Sequence, residues 1–110
     1  MFHRLRHILL LSLLVNGVHA QPFYFGADLS YVNEMEQCGA VYYENGNPIN
    51  LYGLFVEKGA NLVRFRLWHT PSWYDQLNDG EQYSDFEDVR KSIIRAKTLG
   101  FQVLLDYHLS

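Results

Sequence analysis

A chain of 110 residues is long enough for one small domain at most. Nine Lys and Arg stand against twelve Asp and Glu, and the chain carries eight Tyr, seven Phe and two Trp. So acidic a balance argues against a nucleic-acid partner, because phosphate contacts need Lys and Arg, and the single cysteine excludes an internal disulfide.

The first twenty residues read as a cleaved signal peptide. Arg4 and Arg6 form a cationic start, Ile8–Val15 is a short apolar run, and Val18-His19-Ala20 suits a signal peptidase, so Gln21 is the expected mature start. The apolar run is far shorter than the roughly 20 residues that span a bilayer, which disfavours a membrane anchor. No cysteine near the cut offers a lipid attachment point. Loss of Arg4 and Arg6 leaves seven basic residues against twelve acidic, a net charge of −5. An acidic, aromatic-rich secreted chain, extracellular or periplasmic, suits sugar binding. Aromatic faces stack on pyranose C–H faces and carboxylates accept hydroxyl hydrogens, although most single rings serve a core.

Phe23–Leu29 (FYFGADL) reads as a first strand, with Gly26 allowing close backbone approach. Residues 30–46 read as a long irregular polar connection containing Cys38-Gly39, and Asn45-Gly46-Asn47-Pro48 reads as a turn. Cys38 is expected to be a buried thiol or to pair outside this stretch; nothing around it suggests an activated nucleophile. An Asn47 cap with Pro48 in the first turn would start a helix over Ile49–Lys58, with Leu51, Leu54 and Phe55 at helical spacing and Gly59 as its stop. Asn61–Trp68 (NLVRFRLW) is the second strand. His69–Tyr83 is a long loop holding Pro71 and Trp73, and loops of this length usually have a job. Ser84 and Glu87 have the spacing of a capping box, opening a helix that runs to about Leu99, with Lys97 near its end and Gly100 after it. Phe101–Tyr107 (FQVLLDY) is the third strand.

The order β–loop–α–β–loop–α–β repeats at roughly forty residues, in keeping with an α/β fold made of about three βα units of a (β/α)8 TIM barrel, a fold of about 250 residues. A doubly wound sheet is the alternative, but the first strand-to-helix connection lacks a Gly-x-Gly-x-x-Gly phosphate cradle. In a barrel, active sites lie where strands end. Side chains alternate along a strand, so Arg64, Arg66 and Trp68 share one face of the second strand and Val63, Phe65 and Leu67 the other. The apolar set suits packing under helices, which aims the Arg set into the barrel. Guanidinium groups there need carboxylates, and Asp28 and Asp106, near the ends of the neighbouring strands, are the candidates. Arg64 is then either part of a substrate site or a buried strut. Asp106 and His108 also share a face, where His108 suits contact with a substrate hydroxyl or orientation of a carboxylate. His69 reads as a loop residue. No His-x-x-x-His, cysteine pair or serine nucleophile elbow is present, so neither metal nor cofactor is expected. Glycosidic cleavage needs two carboxyls of different protonation. Asp28 and Asp106 beside Arg stay ionised, so no acid and nucleophile pair is found within residues 21–110.

Five motifs in order carry a family resemblance: Gly26-Ala27-Asp28-Leu29-Ser30, Glu36-Gln37-Cys38-Gly39, the run Gly59 through Trp68, Ala96-Lys97-Thr98-Leu99-Gly100, and Val103 through Ser110. Together they resemble the N-terminal part of the endo-β-1,4-galactanases of glycoside hydrolase family 53, over nearly all of the mature chain. The resemblance implies a (β/α)8 barrel that cleaves β-1,4-galactan, the side chain of pectin, with retention. It implies an acid/base Glu ending the fourth strand and a nucleophile Glu ending the seventh, both beyond Ser110. What carries over is support: Arg64 near the nucleophile's position and His108 at the sugar beside the scissile bond, with Arg66, Trp68 and Asp28 less directly. Leu109 stands where the family usually has an aromatic. Residues 21–110 alone are therefore expected to be inactive and poorly soluble, since three strands cannot close a barrel. Alternatives are a related barrel hydrolase acting on another β-glycan such as mannan, and a non-catalytic carbohydrate-binding remnant.

Overall fold

The computed structural model describes residues 21–69 and 80–109. The signal peptide reading, Pro71 and Trp73 lie outside them. The elements are β1 (Gly26–Asp28), α1 (Val32–Gln37), β2 (Tyr42–Glu44), β3 (Asn47–Ile49), α2 (Leu51–Glu57), β4 (Leu62–Trp68), α3 (Phe86–Thr98) and β5 (Gln102–His108). β1, β4 and β5 form one sheet in that order, and both pairings are parallel. Each parallel neighbour is reached through a helix, as parallel pairing requires. Among the described residues no helix is long and apolar enough to cross a membrane.

Close approach explains the short β1. A Cβ on Gly26 would lie 2.2 Å from the Leu62 carbonyl oxygen, so only glycine lets β1 seat against β4 there. The ladder covers Gly26–Asp28 rather than the whole of 23–29, and Phe23 and Tyr24 stay exposed. Asn61 ties down the segment before it, accepting from the Phe25 N–H (3.0 Å) and donating to the Phe23 carbonyl (2.7 Å).

The connection over residues 30–46 is more ordered than its polar composition suggests. It holds α1 and the first strand of a hairpin. Asn45 and Gly46 both have positive φ (51° and 80°), as a two-residue type I′ turn requires, and β2 pairs with β3 antiparallel across them. Asn47 and Pro48 therefore belong to β3 and not to a helix start. Pro48 is tolerated because a two-stranded hairpin leaves outward N–H positions unpaired. The cap of α2 is Asn50, whose side chain accepts from the Gly53 N–H at 3.3 Å.

The three helices among the described residues end alike. Gly59 donates to the Val56 carbonyl and Ala60 to that of Phe55; Gly100 donates to Lys97 and Phe101 to Ala96; Gly39 and Ala40 repeat the pattern on Glu36 and Met35. This is the Schellman arrangement, and the positive φ at Gly59 (89°) and Gly100 (86°) is why glycine stands there. Each reversal delivers the chain into a strand: β2 after α1, β4 after α2, β5 after α3.

The core lies between the sheet and its helices. Val63 and Phe65 of β4 are fully buried with Tyr52 of α2 and Val89 and Ala96 of α3. The helices are also joined by charge. Arg95 of α3 makes a two-pronged ion pair with Glu36 of α1 (2.7 and 3.0 Å), and its guanidinium lies 4.2 Å from the centre of the Tyr52 ring of α2. Cys38 is exposed, which overturns the buried-thiol reading: as the C-cap of the short α1 it follows the last helical turn, where the chain leaves the packed layer.

Candidate functional site

β4 supplies the centre of the site because its two faces are chemically opposite. Val63 and Phe65 point into the helical layer, so strand geometry puts Arg64, Arg66 and Trp68 on the other side. Register then decides their neighbours: Asp28 pairs with Arg64, Asp106 with Arg66 and His108 with Trp68. Arg64 and His108 thus share a face, on parallel strands, toward the C-terminal ends.

Arg64 bridges both neighbouring strands. Its Nη1 donates to Asp28 Oδ2 at 2.8 Å, and its Nη2 donates to Asp106 Oδ2. Arg66 reaches Asp28 Oδ2 at 3.2 Å and donates to the Tyr31 hydroxyl at 3.2 Å, its guanidinium 5.6 Å from that ring's centre. His108 Nε2 lies 2.9 Å from Asp106 Oδ2, and the His108 and Trp68 rings stack with centroids 4.4 Å apart. The six expected side chains form one connected group. His69 is exposed; its backbone N–H donates to the His108 carbonyl (3.2 Å), so it continues the strand pairing.

Ser30 and Tyr31 belong to the same group. Ser30 Oγ donates to Asp28 Oδ1 and accepts from the Arg66 N–H at 2.9 Å, and the Ser30 N–H donates to Asp28 Oδ1 at 3.1 Å. Asp-x-Ser after a strand is a legible signal for such a turn, in which the Asp side chain holds the backbone two residues on.

The electrostatics follow from these contacts. Burial alone would raise the Asp28 pKa. The Ser30 hydroxyl and N–H, then Arg66 and Arg64, outweigh it and hold the carboxyl below its ordinary value of 3.8. Asp106 is lowered chiefly by the hydrogen bond to His108, then by Arg64. The Tyr31 hydrogen bond, then Asp28, keeps Arg66 firmly cationic. Two guanidinium groups and two carboxylates therefore nearly cancel. Neither carboxyl can donate a proton near neutrality, and each is occupied by cationic or N–H donors. The group suits orientation of neutral hydroxyls. Among the described residues no three His, Cys, Asp or Glu side chains gather in a way that could hold a metal ion.

The family model for glycosyl hydrolase family 53 matches residues 24–110. The chain belongs to glycosyl hydrolase family 53. It is 50% identical over 104 residues to the arabinogalactan endo-β-1,4-galactanase of Cellvibrio japonicus, a match covering 94% of this chain and 26% of that protein. It is 36% identical over 100 residues to the endo-β-1,4-galactanase of Bacillus subtilis, covering 87% and 22%. A family 53 catalytic domain from Ignisphaera aggregans superposes with a TM-score of 0.67 at 32% identity, covering 84% of this chain and 27% of that one. A solved fungal β-1,4-galactanase superposes at 0.65 and 31%, covering 77% and 24%. The chain thus spans about a quarter of the length of these family 53 relatives. Its three parallel strands and their helices are the N-terminal part of the family's (β/α)8 barrel.

Proposed function

We infer that this chain contributes the first strand-end wall of a secreted, retaining endo-β-1,4-galactanase. The observation that carries the reading is the Asp28–Arg64–Asp106–His108 chain beside Trp68, on one face of three parallel strands, in a family 53 member. Trp68 offers a flat apolar face to a pyranose ring, and His108 and the Arg64 guanidinium face its hydroxyls. The near-zero charge suits a neutral galactan and disfavours a polyuronate. The apolar leader over residues 8–15 supports secretion, where pectin side chains are met.

In this reading one carboxylic acid protonates the departing glycosidic oxygen while a carboxylate attacks the anomeric carbon. Water then releases the sugar with retained configuration. Asp28 and Asp106 do neither, because both are held ionised by their partners. The acid/base and nucleophile are assigned to glutamates outside residues 21–110. Arg64, His108, Arg66, Asp28, Asp106 and Trp68 position the substrate and that nucleophile. No cofactor enters the reaction.

The test is reducing-sugar release by the full-length protein from β-1,4-galactan, β-mannan and polygalacturonate. Turnover of galactan at least tenfold above the other two is expected. Preference for mannan, or no turnover of any, overturns the reading.

A further inference from the structure

The loop after β4 returns to the strand it left, and a buried carboxylate controls where it lands. The Ser84 carbonyl accepts from the Trp68 N–H at 2.9 Å. Ser84 itself is fully buried and left-handed (φ 57°). What holds it there is Asp88, 7% exposed, whose Oδ2 accepts from the Ser84 N–H at 2.8 Å. The other oxygen, Oδ1, accepts from Asn33 Nδ2 of α1 at 2.7 Å, and Asn33 also donates to Ser92 Oγ at 2.8 Å.

The geometry points to Asp88 as a positioning residue for the sugar platform: it fixes Ser84, and Ser84 fixes the end of β4 at which the Trp68 ring stacks on His108. The role rests on the galactanase reading above for its readout. Both groups facing the carboxylate are donors, so it must accept on both oxygens. An amide at this position must turn its NH2 toward a donor on one side or the other, and one contact becomes repulsive. The Asn33 contact couples α1 to the same point. Displacement of a platform by a fraction of an ångström is felt in substrate binding.

A double-mutant cycle in the full-length protein separates this role from general support of the fold. Asp88→Asn should lower kcat/KM on galactan roughly tenfold, mainly through KM. In a Trp68→Ala background the same substitution should change kcat/KM less than twofold, while the melting temperature falls by the same amount in both backgrounds. Asn33→Ala removes one of the two contacts and should give a smaller loss with the same dependence on Trp68, which decides the matter if Asp88→Asn does not fold. An equal loss of kcat/KM with and without Trp68, or a full-strength KM in Asp88→Asn, overturns the positioning role. Absence of galactan turnover in the unmutated protein would instead defeat the functional reading, and the cycle would then be read on galacto-oligosaccharide binding by isothermal titration calorimetry in all four proteins, with the same two outcomes.

Discussion

The two faces of β4 differ in what holds them. On one side Val63 and Phe65 are completely buried among helix residues, a region stabilised by apolar burial and close packing. On the other, the Arg64 and Arg66 side chains remain about one-third exposed and Trp68 is partly buried, and they are held by ion pairs, hydrogen bonds and ring stacking. Partly exposed ion pairs contribute little net stability, so the second face is poorly explained as a device for folding. Seven residues of strand thus present two faces held by different forces, and substitutions on them should fail differently.

The largest effect belongs to the apolar face. Phe65→Ala should cost about 3–5 kcal/mol of stability, read by denaturant unfolding, with the surviving folded fraction keeping its KM. A normal melt would break the comparison. On the polar face, His108→Ala should lower galactan kcat/KM roughly tenfold while shifting stability by less than about 1 kcal/mol, because among the described residues its ring is held by one partly exposed hydrogen bond to Asp106 and a stack on Trp68. A loss of stability matching that of Phe65→Ala would erase the distinction.

A smaller, opposite effect is expected at Ser84. Its left-handed backbone and its buried hydroxyl, without a hydrogen-bond partner among the described residues, both favour glycine, so Ser84→Gly should raise stability by about 1 kcal/mol with kcat/KM unchanged. The carbonyl that meets Trp68 and the N–H that meets Asp88 both survive that change. The smallest effect concerns acid. Asp28 and Asp106 have lowered pKa values, so their contribution to stability is fully present above the ordinary value of 3.8 and is lost as pH falls below it. Between pH 5 and 3 the full-length protein should lose more stability than its Asp28→Asn variant. Parallel pH curves would show that the ion pairs contribute nothing.

How far the sequence discloses this arrangement depends on the scale of the interaction. Strands β4 and β5 and helix α3 are legible to within a residue or two because their patterns are long and their glycine stops are strong. The shared face of Arg64, Arg66 and Trp68, and its pairing with Asp28 and Asp106, follows from alternation alone once the strands are taken as parallel neighbours. Short elements are another matter. The six residues of α1 carry too few apolar positions to show a period, and Pro48 resembles a helix start until Asn45-Gly46 is recognised as a hairpin turn. The α3 cap illustrates a one-residue ambiguity. Ser84 and Glu87 fit the capping-box spacing, but Asp85 accepts from the Asp88 N–H (2.9 Å) while Asp88 reaches back to the Ser84 N–H. A left-handed Ser84 cannot be the extended cap residue, and nothing local in the sequence reveals that. The Ser30 turn onto Asp28 is local and legible, but contacts from Tyr31 and Asn33 depend on where α1 packs, which no local pattern encodes.

The proposed division of β4 into a folding face and a sugar-binding face is tested most directly by Arg64→Ala in the full-length protein, with galactan kcat/KM and thermal melting measured on the same sample. Arg64 joins both carboxylates, so its loss should lower kcat/KM about a hundredfold while costing only about 1 kcal/mol of stability. Activity and stability falling in step, or activity left intact, would mean that Arg64 is a strut and that this face does not handle the substrate.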